Sequence, residues 1–119
     1  MNLSQLSWTT MYKANKYHAK KSGGYASRKE HRRACELRFM QQKGIISDLK
    51  EQVRFELIPS QRGEDGKVAE RACTYIADFV YKDANGNTIV EDTKGVRTKE
   101  YIIKRKLMLR VYGIRITER

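Results

Sequence analysis

Apolar positions fall into six groups along the chain, and the spacing within each predicts an element. From Ser27 the period is helical: Ala34, Leu37 and Met40 mark one face, Ser27 stands at the N-cap position and Gly44 at the natural stop. A helix is therefore expected over about 28–43. Val53, Phe55 and Leu57 then alternate with Arg54, Glu56 and Ile58 until Pro59 ends the run, as a half-buried strand would. Residues 60–69, with Gly63 and Gly66 among charges, read as a turn or flexible loop. Residues 71–82 are β-branched and aromatic, 83–87 are turn-forming and 88–94 turn apolar again, which predicts a hairpin. Thr98 caps a second helix through Tyr112, with Ile103, Leu107 and Val111 on one face and Gly113 as its stop; residues 114–117 finish as a short strand. The order is helix, three strands, helix, strand.

Ahead of this pattern, residues 1–26 lack periodicity and read as a basic, partly flexible arm, leaving 27–119 as a single domain. A length of 119 residues leaves no room for two self-supporting cores, and 39% hydrophobic residues suffice for one. No run approaches the roughly 20 apolar residues of a membrane span, and Met1–Gln5 lacks the start of a secretory signal. An intracellular protein without a membrane partner is the expectation. Cys35 and Cys73 are too few and too isolated for a disulfide framework, and His31 with Cys35 at i and i+4 lacks the further ligands zinc needs.

Charge sharpens the picture. Residues 1–34 carry eight lysines and arginines against one acid, 35–94 carry nine against eleven, and 95–119 carry eight against two, for a net +11. Two basic ends flank an acidic middle. Basic ends attract phosphate backbones by counterion release, whereas carboxylates beside a bound phosphate call for a cation between them. In the arm, Lys16, Lys20 and Lys21 lie among Tyr12, Tyr17 and Tyr25, which suits either phosphate contact with base stacking or a merely solvated tail. Lys99, Lys104, Arg105 and Lys106 surround the second helix, so some face outward whichever side packs.

The hairpin turn supplies a register for the acids. With Ala84, Asn85 and Gly86 as the loop, Asp83 faces Asn87 and Asp78 stands opposite Asp92, with Cβ atoms roughly 5 Å apart. Two like charges there repel unless something positive lies between them. Lys94, two residues beyond Asp92, shares its face by period-two alternation. An Asp on one strand and Asp-x-Lys on the next suits metal-assisted phosphodiester hydrolysis: Asp78, Asp92 and the Thr93 carbonyl as ligands of Mg²⁺ or Mn²⁺, and Lys94 at the developing charge. Glu30 falls between Ala34 and Leu37 on the helical wheel. It serves either its own helix, through the capping box Ser27-x-x-Glu30, or the metal as a third acid. Gln52 reads either as an exposed turn residue or as a contact to phosphate or the attacking water.

Ser27-x-x-Glu30, Gly44-Ile45-Ile46, Gln52-x-x-Phe55, Tyr75-Ile76-Ala77-Asp78-Phe79 and Val90-Glu91-Asp92-Thr93-Lys94-Gly95 together resemble the PD-(D/E)xK nuclease superfamily. More narrowly, the chain resembles a phage and prophage family catalogued as a domain of unknown function. Its motif order is similar to that of the junction-resolving endonuclease I of phages. Two departures stand out: Ala77 replaces the Pro of the superfamily name, and Asp92 replaces the more usual Glu. The resemblance covers about residues 15–118 and implies the α/β restriction-endonuclease-like αβββαβ core, a central mixed sheet flanked by helices. It also implies catalytic roles for Glu30, Asp78, Asp92 and Lys94. The function expected is a Mg²⁺-dependent DNA endonuclease, phage-encoded, working in the bacterial cytoplasm and acting on branched or recombination DNA. A two-fold homodimer would supply the two active sites needed to cut both strands. The alternative is a non-catalytic basic nucleic-acid-binding protein, in which the acids are structural and only the basic ends matter.

Overall fold

The computed structural model describes residues 27–93 and 96–119. Ser27, in extended conformation, accepts a hydrogen bond from the Glu30 amide on its Oγ at 3.1 Å and so opens helix α1, Arg28–Gln42. Gly44, at φ +77°, turns the chain out of that helix, and the Ile45 amide donates back to the Met40 carbonyl at 2.9 Å. Strands β1 (Ser47–Ile58), β2 (Gln61–Arg62), β3 (Val68–Glu70), β4 (Cys73–Lys82) and β5 (Thr88–Asp92) follow, then helix α2 (Lys99–Tyr112) and strand β6 (Thr117–Glu118). The main sheet has the order β1-β4-β5-β6; the first two pairings are antiparallel and the last is parallel. Helix α2 is the crossover that a parallel β5–β6 pair requires. The expected α/β class, a mixed sheet with helices against it, is the observed one.

Each face of the sheet has its own core. Tyr101 and Met108 of α2 pack with Val53, Phe55, Leu57, Tyr75, Ala77, Val80, Val90 and Ile116; Ala34 and Leu37 of α1 pack with Ile46, Phe79 and Tyr81. Burying such side chains at roughly 25 cal/mol per Å² of apolar surface is what holds both helices to the sheet. On β4, Tyr75 and Ala77 belong to the α2 cluster whereas Phe79 and Tyr81 belong to the α1 cluster, so the strict alternation changes phase across Asp78. Register places Gln52, between the pairs Glu51–Phe79 and Val53–Ala77, level with Asp78. Gln52 has φ +56°, a left-handed backbone inside a strand, so the irregularity spans both strands at one point.

Three expectations need correction. The stretch 60–69 is not a plain loop: β2 and β3 pair in a small ribbon, closed by a hydrogen bond from the Gly63 amide to the Lys67 carbonyl and by Gly66 at φ +79°. Its residues are exposed, so backbone hydrogen bonds rather than burial make it, and hydrophobic spacing carries no trace of it. Strand β1 starts at Ser47, six residues before the alternation does, because 47–52 has Leu49 as its one apolar residue and bends at the left-handed Asp48 and Gln52. On α2 the inward stripe is not Ile103, Leu107 and Val111. Ile103 and Val111 are exposed and Leu107 is only partly covered, while Tyr101 and Met108 are buried. Tyrosine hydroxyls decide it: Tyr101 donates to Glu118 Oε2 at 2.6 Å and Tyr112 to the Glu56 carbonyl at 2.7 Å, partners available only with that face turned in. Smaller offsets occur at β4, which begins at Cys73, and at β6, which covers Thr117–Glu118.

Candidate active site

The β4–β5 hairpin fixes the relation between the two aspartates. Its loop is Ala84-Asn85-Gly86: the Asp83 amide donates to the Asn87 carbonyl at 2.9 Å, Gly86 is left-handed at φ +81°, and Asp83 Oδ1 accepts from the Asn85 and Asn87 amides. The pairs Lys82–Thr88, Tyr81–Ile89, Val80–Val90 and Phe79–Glu91 follow; the ladder ends there, with Asp78 and Asp92 the next residue on each strand.

Each carboxylate is held by a neighbour. Asp78 Oδ2 accepts from both the amide (2.9 Å) and the hydroxyl (2.8 Å) of Thr93, while Oδ1 has no hydrogen-bond partner among the described residues. Asp92 is buried, at 2% exposure, and its Oδ2 accepts from the Tyr75 hydroxyl at 2.5 Å. Burial pushes the Tyr75 phenol well above its ordinary pKa; the charge of Asp92 and the hydrogen bond to it add to the shift, and Asp78 contributes. Tyr75 is therefore a fixed neutral donor on which both aspartates bear. No spacing rule marks it, because it reaches Asp92 diagonally from three residues before Asp78.

Glu30 is 4% exposed, and its carboxylate reaches β1, where Gln52 Nε2 donates to Oε2 at 3.0 Å. The first turn of α1 is thus tied to the point of β1 level with Asp78. Among the described residues, no group of three or more His, Cys, Asp or Glu side chains is gathered closely enough to hold a metal ion. The structure brings Asp78, Thr93 and Asp92 together with Tyr75, and brings Glu30 to Gln52. Lys94 and the arm residues Lys16, Lys20 and Lys21 lie outside the described residues.

Glu91, absent from the expected site, is fully buried on the α1 side. Arg33 of α1 grips it through Nε (2.8 Å) and a terminal nitrogen (2.7 Å), Tyr81 donates its hydroxyl, and Arg119 Nε stands at 3.3 Å. Burial pushes the Glu91 carboxyl up, but Arg33, Tyr81 and Arg119 outweigh it and hold the group below its usual range. The signal was present: alternation turns Glu91 away from Asp92 into the opposite core, where an acid must find a cation. On the α2 side, Lys99 is exposed and Lys104 half-buried. Arg105 sits 3.2 Å from Glu118, which also accepts from Tyr101 and pairs with Arg97 at 2.7 Å. No helix among the described residues is long and apolar enough to cross a membrane.

Comparison with known proteins gives one result for the whole chain. No curated protein and no solved structure matches it. Residues 9–117 match the family described as a protein of unknown function (DUF1064), and the chain belongs to that family.

Proposed function

We propose that this protein is a metal-dependent DNA endonuclease of the PD-(D/E)xK kind. The observation that carries the reading is the placing of two acids at the open end of the β4–β5 ladder, where Asp78 and Asp92 follow directly on the Phe79–Glu91 pair and each carboxylate is oriented by its own hydrogen-bond donors. Two acids at the neighbouring ends of adjacent strands repel, and a stable fold keeps such a pair at a cost. Thr93 and Tyr75 offset part of that cost, and a cation would offset the rest.

The donors fit Mg²⁺ or Mn²⁺. All are hard oxygens, and Asp78 Oδ1 is without a partner among the described residues. Mg²⁺ is ordinarily held by one or two carboxylates with water and substrate phosphate completing the shell, so the lack of a three-acid cage among the described residues is compatible with it. Asp78 and Asp92 would hold the ion, with the Thr93 carbonyl as a further donor, while Glu30, held by Gln52, is not gathered with them into a three-acid site. When bound, it supplies Lewis acidity at the scissile phosphate and lowers the pKa of a coordinated water.

The remaining roles fall to the chain itself. Tyr75 fixes the Asp92 carboxylate, Thr93 fixes that of Asp78, and Gln52 fixes that of Glu30. Lys94 is assigned to the charge developing on the phosphate, and the basic flanks draw the nucleic acid in. Incubating the protein with supercoiled, linear, single-stranded and four-way-junction DNA tests the reading. Cleavage of at least one form with Mg²⁺ or Mn²⁺, stopped by a chelator, is expected. Retention of DNA without cleavage of any form would replace the reading with that of a non-catalytic binder.

A further inference from the structure

A basic cleft of about 380 Å³ lies between α2 and the segment that ends in β6, lined by Arg105, Lys106, Leu109, Arg115, Ile116 and Glu118. Its charges do not cancel. Glu118 already accepts from Tyr101 and pairs with Arg97 and Arg105, and these partners hold its carboxyl below the usual range, the Tyr101 hydrogen bond foremost. Lys106 and Arg115 are exposed and take no part in that network. Besides Arg105, which is held on Glu118, two cations line a concave surface whose one acid is occupied.

Its position is as telling as its charge. Glu118 of β6 is the residue paired with Asp92 of β5, and the Arg119 amide donates to the Asp92 carbonyl at 3.0 Å. The cleft therefore opens one strand away from the proposed metal-binding aspartate. β6 is the strand next to β5, and neighbouring strands lie about 4.8 Å apart, so one nucleic-acid backbone can serve both places.

We propose that this cleft binds a backbone phosphate of duplex DNA flanking the bond to be cut, with Lys106 and Arg115 as its cationic ligands and Arg105 held on Glu118. The proposal rests on the nuclease reading for the meaning of the neighbouring phosphate, but binding alone tests it. The experiment measures affinity of the full chain for a fluorescent duplex by anisotropy, in chelator so that nothing is cut, across a series of salt concentrations. Every phosphate that the protein ceases to neutralise lowers the slope of log affinity against log salt by about 0.9, so Lys106→Gln/Arg115→Gln should lower it by about 1–2. Lys43→Gln/Lys67→Gln removes the same charge from the end of α1 and the β2–β3 turn, and should change the slope by less than about 0.5. Equal slopes for wild type and the cleft variant, or equal reductions in the two double variants, would overturn the proposal, as would absence of duplex binding by the wild type. A reduced slope confined to the cleft variant upholds the site even if no metal elicits cleavage, in which case only the nuclease reading falls. Cleavage with an unchanged slope removes the cleft and leaves the nuclease.

Discussion

Gln52 holds a left-handed backbone inside a strand and spends its amide on a buried carboxylate, a conformation that costs a non-glycine residue roughly 1–2 kcal/mol. The cost falls level with Asp78, where the chain is also irregular on β4. Comparing Gln52→Gly with Gln52→Ala separates backbone from side chain, because both lose the bond to Glu30 and only glycine relieves the strain. The glycine variant should be the more stable by about 1–2 kcal/mol in urea melts; equal stabilities would contradict the left-handed assignment. Glu91 poses a second residue-scale question. Its carboxyl sits below the ordinary value of 4.5, so the stability it contributes is complete above that pH and drains away as the pH falls through the lowered folded value. Glu91→Gln should cost about 1–3 kcal/mol at neutral pH, by leaving Arg33 with only the exposed Glu36 as its acidic partner, and should flatten the acid limb of the stability profile. An unaltered acid limb would mean that the Arg33–Glu91 pair does not form.

Elements differ in how well their residues announced them. Helix α2 was legible to the residue, because Thr98 and Gly113 are local chemical signals: an oxygen that accepts from the Tyr101 amide, and the one residue type that takes φ +69° freely. Its inward face was not legible, since Ile103 and Val111 are as apolar as Met108, and only the partners of two tyrosine hydroxyls break the tie. The hairpin register was readable from the Asp83–Asn87 turn alone as far as the Phe79–Glu91 pair, since pairing propagates from a fixed loop. Tyr75 on Asp92 and Gln52 on Glu30 were not, because they join segments 17 and 22 residues apart whose approach depends on the assembled sheet. Gly113→Ala tests the cap directly. No atom lies within 4 Å of the added methyl, so the cost is purely conformational, about 1–2 kcal/mol, seen as a lower melting temperature. An unchanged melting temperature would argue that α2 ends otherwise.

At the scale of the whole molecule, residues 35–94 carry eleven acids against nine lysines and arginines, while the segments on either side are strongly basic. That distribution suits a polyanion drawn to the basic flanks, with the proposed metal site in the acidic middle. Mg²⁺ or Mn²⁺ that binds only the folded state must raise the melting temperature by mass action, and at 100 times its dissociation constant the gain is about 2.7 kcal/mol. Asp78→Asn should abolish most of that shift while leaving the metal-free protein as stable or more so, since one of two neighbouring charges is gone. Equal shifts in both proteins would place the ion elsewhere.

The central claim is chemical, and nicking of supercoiled DNA at saturating substrate addresses it most directly. The wild type should convert supercoiled to open-circular DNA in Mg²⁺ and not in chelator. Asp78→Asn and Lys94→Ala should bind the same DNA with little change, yet cut it slower by about a hundredfold or more. Wild-type protein that binds but never nicks, or variants that nick as fast as the wild type, would contradict the assignment of Asp78, Asp92 and Lys94 to phosphodiester hydrolysis.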